Sequence, residues 1–266
     1  MTENIGLLML AAEAIARTAG DVALRHFRSG LAVERKADGS EVTAADREAE
    51  LAARAWIERS FPADGIMGEE HGVTRRDARR RWLIDPIDGT RSYVRGVPLW
   101  GTLVALAEGD EVHVGAAYFP VVGEMLVAGA GEGCWWNGAR CAVSPVSEVS
   151  GATVLATDER FLMAPGRRAA WRALADGAAV SRSWGDCYGY LLVATGRAEV
   201  MVDPILSPWD SAVLLPLIEE AGGVFTDWDG TRTPFGGSAI ATNRALAAPV
   251  RDILQERAAE PTPPRR

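Results

Sequence analysis

Arg81-Trp82-Leu83-Ile84-Asp85-Pro86-Ile87-Asp88-Gly89-Thr90 is the stretch from which the rest of the chain can be read. It begins as a short buried strand, Trp82 to Ile84, and runs into a carboxylate, a proline turn, a second carboxylate and Gly-Thr. Pro86 fixes its own φ and pushes Asp85 towards an extended conformation, so both acids belong to a stiff, pre-set turn. Two carboxylates that close repel and shift each other's pKa unless a cation lies between them. The hard cation that suits oxygen ligands and a phosphate substrate is Mg²⁺. Gly89 and Thr90 add backbone N–H groups and a hydroxyl at the start of a short helix, where an anion is welcome. The decapeptide therefore suggests a metal beside a phosphate. A bare Asp-Pro-x-Asp-Gly also reads as an Asx-type turn with solvated acids, and both readings stand at this point.

Upstream, Gly65-Ile66-Met67-Gly68-Glu69-Glu70 reads as a short strand ending in paired acids. These acids matter chemically only if the fold brings them to Asp85. Thr43-Ala44-Ala45-Asp46 is a helix start, with Thr43 as N-cap and Asp46 at the third position, where an acid complements the dipole. Capping alone gives Asp46 a sufficient local role. That helix runs with Ala45, Ala49, Ala52, Ala53 and Trp56 on one face and stops before Pro62. Residues 31–41 are a polar loop or hairpin. Residues 4–28 form an amphipathic helix, with Gly20 as its weak spot.

Downstream, Trp100–Ala107, Glu111–Phe119 and Glu124–Ala128 are strands of an antiparallel meander, separated by Gly-containing turns. Gly129 to Gly133 lacks the spacing of a nucleotide loop and reads as a turn; Trp135 and Trp136 read as core or interface aromatics. The second half alternates: a strand at Thr153–Ala156, a helix at Arg167–Leu174, a strand at Val180–Trp184, and an apolar helix at Cys187–Thr195 stopped by Gly196. A strand at Glu199–Val202 precedes Ser207-Pro208-Trp209-Asp210, which opens a helix with Ser at the cap, Pro at the first position and Asp at the third. That helix is apolar nearly all round and so central; Pro216 interrupts its hydrogen bonding and Gly222-Gly223 end it. Val224–Thr226 is a strand, and Asn243 caps a last helix to about Ala258.

The totals limit the function. A chain of 266 residues, 48% hydrophobic, can bury a large core, and a net charge of −8 argues against nucleic acid or an anionic membrane as partner. A bound metal would still let the substrate be an anion. The three cysteines, Cys134, Cys141 and Cys187, are odd in number and lack C-x-x-C spacing, which fits core thiols in a reducing compartment. The apolar stretch Leu7 to Ala12 is cut by Glu13, so neither a signal peptide nor a membrane span is indicated and the expected location is cytoplasmic. The expected organisation is one domain over residues 1–260, antiparallel-rich to about 145 and alternating from 146, followed by a disordered tail at 261–266.

Three motifs in order, Gly68-Glu69-Glu70, the central decapeptide, and Pro208-Trp209-Asp210 with Glu220-Ala221-Gly222-Gly223, resemble the inositol monophosphatase superfamily of Mg²⁺-dependent, Li⁺-sensitive phosphomonoesterases. The resemblance covers nearly the whole chain. Trp184 to Tyr190 and Thr90 to Gly96 look most like its histidinol-phosphatase branch. The resemblance implies an α/β (α+β) fold, a layered α-β-α-β-α sandwich, and a homodimer. It implies two or three Mg²⁺ ions, with Li⁺ inhibitory. Glu69, Asp85 and the Ile87 carbonyl would hold the first metal; Asp85, Asp88 and Asp210 the second. Thr90 would polarise the attacking water, oriented by Asp46, and the Gly89 and Thr90 N–H groups would hold the phosphate. The leaving-group pocket would fall on Gly185, Asp186, Cys187 and Asp203, together with Asp88.

Phosphoryl transfer needs positioned charge more than covalent catalysis, so carboxylates, a hydroxyl and backbone donors suffice. His26, His71 and His113 lie in no acid–base setting that would support a Ser-His-Asp hydrolase. The haloacid dehalogenase signature D-x-D-x-T is one residue shorter than Asp85-x-x-Asp88-Gly-Thr. Acids at both 186 and 203 suit a cationic leaving group such as histidinol better than a neutral cyclitol, although Asp186 could equally cap the following helix. The expected reaction is hydrolysis of L-histidinol phosphate, a step of histidine biosynthesis, by metal-activated water. Inositol 1-phosphate or another small sugar phosphate is the alternative within the class. A non-catalytic metal- or phosphate-binding module is the alternative outside it. Fructose bisphosphate and nucleotide 3′-phosphates lack an evident basic pocket for a second phosphate.

Overall fold

The computed structural model describes residues 4–37, 39–159 and 165–256. The expected tail at 261–266 lies outside these residues, as does the end of the last expected helix. In chain order, α1 (Ile5–His26) leads through a small hairpin, β1 (Glu34–Arg35) and β2 (Glu41–Val42), into α2 (Ala44–Ser60). Then come β3 (Gly65–Gly68), β4 (Gly72–Thr74), β5 (Arg80–Asp88), α3 (Thr90–Val94), β6 (Gly101–Glu108), β7 (Glu111–Phe119), β8 (Glu124–Gly129), β9 (Gly133–Trp136) and β10 (Ala139–Arg140). The remainder runs β11 (Thr153–Ala156), α4 (Pro165–Gly177), β12 (Val180–Arg182), α5 (Asp186–Ala194), β13 (Val200–Asp203), α6 (Pro208–Glu220), β14 (Val224–Thr226), β15 (Ala239–Thr242) and α7 (Ala247–Glu256).

Two sheets organise these elements. The first has eight strands in the order β10-β9-β8-β7-β6-β5-β3-β4, and the second five in the order β12-β11-β13-β15-β14. Alternation along each strand assigns its two faces to different cores. In the first sheet Trp82, Ile84, Val104 and Ala116 pack beneath α1 and α2, whereas Leu83, Leu103, Ala105 and Ala117 face α5 and α6. In the second, Leu155 and Met201 meet α5 and α6 from the other side, and Val154, Ala156, Val200 and Val202 meet α4 and α7. The layers are thus helix, sheet, helix, sheet, helix. Helices α5 and α6 lie between two sheets, which is why their sequences are apolar nearly all round. At Gly115 of β7 the sheet approaches α6 so closely that a Cβ would lie 2.6 Å from the Val213 carbonyl oxygen.

Local chemistry sets the helix starts. Asn4 accepts from the Gly6 N–H at 2.9 Å to cap α1. Thr43 and Asp46 form the reciprocal box at α2: the Ala45 N–H donates to Thr43 Oγ1 at 3.1 Å and the Thr43 N–H to Asp46 Oδ2 at 2.8 Å. Gly20, a weak spot by propensity, is needed for packing, since a Cβ there would lie 2.6 Å from the Tyr118 ring.

Four local features differ from the expectations. Strand β5 does not stop at Ile84; it continues to Asp88, with a register irregularity between Asp85 and Asp88. Pro86 cannot donate to the ladder, and the chain bulges there, while the Pro86 carbonyl is taken by Thr102 Oγ1 at 2.8 Å. Strands β9 and β10 follow what reads as a plain turn. β15 is an Ala-rich segment of weak strand propensity that is buried between β13 and β14. Asn243 Oδ1 does cap, accepting from the Leu246 N–H at 2.9 Å, but the helix proper begins only at Ala247. Among the described residues, no helix is long and apolar enough to cross a membrane.

Candidate active site

The acids converge because of one exception in the first sheet: β3 and β5 run parallel. Both strands therefore end at the same edge. The register Gly68↔Ile84, extended by the Glu69 N–H donating to the Ile84 carbonyl at 3.2 Å, places Glu69 beside Asp85. Residues three apart in a regular strand point to opposite faces. The bulge at Pro86 lets Asp85 and Asp88 turn to one side, where the first turn of α6 brings Asp210. Ligand oxygens of Asp85, Asp88 and Asp210 all lie within 4.8 Å of one another.

Burial there is deep: Asp85 is 3% and Asp210 9% exposed. Burial first, then the charges of Glu69, Asp210 and Asp88, holds Asp85 well above the ordinary carboxylate range. Burial and the Asp88 charge do the same for Asp210. Asp88 is raised less, because burial is opposed by its hydrogen bonds from Cys187, whose N–H donates to Oδ2 at 2.6 Å. Asp210 Oδ2 accepts from the Ser207 N–H at 3.1 Å, but its buried Oδ1 has no partner. A desolvated carboxylate oxygen without a donor is costly unless a cation completes it. Three convergent carboxylates and this orphaned oxygen fit a hard divalent cation.

Glu69 and Glu70 are bridged by Lys36, whose Nζ lies 2.7 and 2.5 Å from their Oε1 atoms. Burial works against the Lys36 charge, yet the two glutamates outweigh it and raise its pKa. Glu69 is itself raised by burial, with Lys36 opposing. Lys36, in the polar hairpin, was given no role by the sequence reading. A signal existed: it is the chain's single lysine, among 28 basic residues otherwise all arginine.

Asp46 is buried behind this edge; burial raises its pKa despite the two Thr43 donors on Oδ2. Thr90 Oγ1 donates to the Ile87 carbonyl at 2.9 Å rather than to Asp46, and the Ile87 N–H donates to Asp85 Oδ1 at 2.9 Å. Gly89 takes φ +87°, a left-handed value that favours glycine, and so turns β5 into α3.

A cavity of about 190 Å³ opens beside the cluster, lined by Asp88, Thr157, Asp186, Asp203, Pro204, Ile205, Leu206 and Asp210. A second, of about 160 Å³, shares Thr157 and Asp186 with it and includes Gly185 and Arg91. Asp186 makes no side-chain cap bond to α5; it holds φ +51°, uncommon outside glycine, with its N–H donating to Thr157 Oγ1 at 2.9 Å. Its acid is raised by burial and by Asp88 and Asp203, against Arg91. Asp203 accepts from Tyr190 Oη at 3.0 Å, and burial pushes its pKa up to about 7. The Cys187 thiol is raised by burial, then by Asp88. Thr157 is a further neighbour that the sequence gives no sign of, because tertiary packing alone brings it here; Tyr190 belongs to the Trp184 to Tyr190 motif, and its bond to Asp203 gives it a role the motif did not. A larger cavity of about 700 Å³ lies between α1 and β8–β9, but it contains none of the clustered acids, so size does not mark the site.

The chain matches the inositol monophosphatase family over residues 7–262. It is 43% identical over 241 residues to a histidinol-phosphatase of Chlorobaculum parvum, covering 90% of this chain and 93% of the relative. To a histidinol-phosphatase of Mycobacterium tuberculosis it is 37% identical over 244 residues, covering 90% and 94%. A solved inositol monophosphatase from Zymomonas mobilis superposes with a TM-score of 0.84 at 32% identity, over 94% of this chain and 98% of that one.

Proposed function

The chain belongs to the inositol monophosphatase family and is a phosphatase; from that premise we propose that its substrate is L-histidinol phosphate, hydrolysed with Mg²⁺. The observation that carries this reading is the pair Asp186 and Asp203. Both line the cavity beside the acid cluster, and among the described residues no lysine or arginine lines it, Arg91 lining only the adjoining cavity that shares Asp186. An ammonium or imidazolium group entering there is drawn to both acids and lowers their pKa, so binding a cationic leaving group releases a proton rather than leaving a buried charge unpaired. A neutral cyclitol gains no such term. The names of the Chlorobaculum parvum and Mycobacterium tuberculosis relatives point the same way.

Glu69, Asp85, Asp88, Asp210 and the Ile87 carbonyl would hold the metal. Bound there, Mg²⁺ supplies Lewis-acid charge to the phosphoryl oxygens and makes water a better nucleophile at neutral pH. The protein's part is positioning. The Gly89 and Thr90 N–H groups orient the phosphate, and Thr90 with Asp46 orients the attacking water. The Thr90 hydroxyl bonds the Ile87 carbonyl at 2.9 Å, and turning it away would free that carbonyl as a ligand. Asp46, already raised by burial, is suited to accept a proton. Asp186 and Asp203 hold the leaving group while its P–O bond breaks.

Phosphate release from L-histidinol phosphate, inositol 1-phosphate and fructose 1,6-bisphosphate, with Mg²⁺ and with EDTA, tests the proposal. A kcat/KM preference for histidinol phosphate, reduced in Asp186→Asn, is expected. A flat profile, or a preference that survives the substitution, refutes the assignment. A homodimer in the cytoplasm remains part of the proposed reading by family resemblance.

A further inference from the structure

Glu50 is a carboxylate with no exposure to solvent, one helical turn after Asp46 on the inner face of α2. Its Oε2 accepts from the Glu70 N–H at 2.6 Å, and its Oε1 accepts from the His71 N–H at 3.1 Å and from Arg54 Nε at 2.6 Å. Arg54 Nη2 in turn donates to the Gly72 carbonyl at 2.5 Å. One helix thus clamps the turn between β3 and β4, the turn that carries Glu69. All three N–H groups there are spoken for: Glu69 donates to Ile84 of β5, and Glu70 and His71 donate to Glu50. The absence of a side chain at Gly68 belongs to the same arrangement, because a Cβ there would lie 2.1 Å from Glu50 Oε1.

A buried ion pair contributes little net stability compared with well-packed apolar residues, so stability alone is a weak reason for Glu50 and Arg54. Two backbone N–H groups held by one carboxylate is a reason: it fixes where the preceding residue projects. We infer that Glu50 is a positioning residue for metal binding, setting the direction of Glu69 through the Glu70 and His71 backbone. This inference rests on the reading of Glu69 as a metal ligand.

The test is calorimetric titration of the full-length, metal-stripped protein with Mg²⁺ alone, alongside the Mg²⁺ dependence of phosphate release. Outer partners of metal ligands typically govern affinity by about 10–100-fold. Glu50→Gln, which replaces an acceptor facing the turn with a donor, is expected to weaken the tightest Mg²⁺ event at least about 10-fold, with lost turnover recovered by raising Mg²⁺. Gly68→Ala pushes the Glu50 carboxylate aside without altering any charge and should give a shift in the same direction. It also carries the test if Glu50→Gln, with Arg54 left unpaired, does not fold. A folded variant with a lower Tm but the wild-type Mg²⁺ titration overturns the inference. Glu69→Gln separates the premises: if it too leaves the titration unchanged, the assignment of Glu69 fails and takes the inference with it. If it shifts the titration while Gly68→Ala and Glu50→Gln do not, only the role of Glu50 is wrong.

Discussion

Replacing Asp203 with asparagine should flatten the pH dependence of stability. Burial pushes the folded-state pKa of Asp203 up to about 7, against hydrogen bonds from Thr157 and Tyr190 that favour the ionised form. In the unfolded chain the group titrates near the ordinary aspartate value of about 3.9. Between those values the folded state holds a proton that the unfolded state has released. The associated stability is therefore complete below the unfolded pKa and is lost as pH rises through about 7. Roughly three pKa units at about 1.4 kcal/mol each bound the effect near 4 kcal/mol, of which about 2.5 kcal/mol falls between pH 5 and pH 8. Asparagine keeps the volume and can still accept from Tyr190, but it cannot ionise. Urea unfolding followed by tryptophan fluorescence in EDTA, at several pH values across that range, should show the wild type losing about 2.5 kcal/mol more than Asp203→Asn. Parallel pH profiles for the two proteins would refute the assignment of a buried, proton-binding acid at this position.

Asp210→Asn should stabilise the protein in EDTA, by about 1–3 kcal/mol at pH 8, since it removes a buried carboxylate whose Oδ1 has no donor. The same change should cut Mg²⁺-dependent phosphate release by on the order of 100-fold or more; thermal unfolding in EDTA and a turnover assay measure the two halves, and a lower Tm would contradict the first. Gly185→Ala places a Cβ 2.2 Å from Thr157 Cα, a backbone atom that cannot step aside cheaply. A loss of about 1–3 kcal/mol in urea unfolding is expected, with a raised KM as the Asp186 N–H bond to Thr157 is disturbed; an unchanged KM would show that Gly185 does not set the position of Asp186.

The buried strand at Trp82 to Ile84, the box at Thr43 and Asp46, and the Ser-Pro-x-Asp opening of α6 were legible as local signals, and local physics decided them. The layering was implied by the family resemblance alone, since a continuous apolar run such as Trp82-Leu83-Ile84 does not show that its residues face two different cores. The acids at 69, 85, 88 and 210 were legible in motif, but their convergence depends on the parallel pairing of β3 with β5 and on the bulge at Pro86. Neither follows from periodicity. Strand β15 was missed because tertiary burial, not propensity, makes Ala-Ile-Ala-Thr a strand. Thr157 carries no sequence signature at all, and Tyr190 lies in the Trp184 to Tyr190 motif without a role that the motif by itself assigns. Lys36 did: an arginine could not be packed as the same compact point charge against two glutamates, and its being the only lysine was the clue.

The placement of α6 between two sheets has a consequence for how this protein can change over generations. The helix presents Asp210 to the cluster at one end and is gripped along its length by β7, where only a glycine at 115 leaves room for the Val213 carbonyl. A shift of that grip by a fraction of an ångström is carried down a rigid rod to a ligand. Substitutions in the middle of the core, far from any substrate, are therefore screened for catalysis as well as for packing. Drift at Gly115 or Pro216 should leave its trace in compensating changes around Asp85 and Asp88 as often as in the neighbouring apolar side chains.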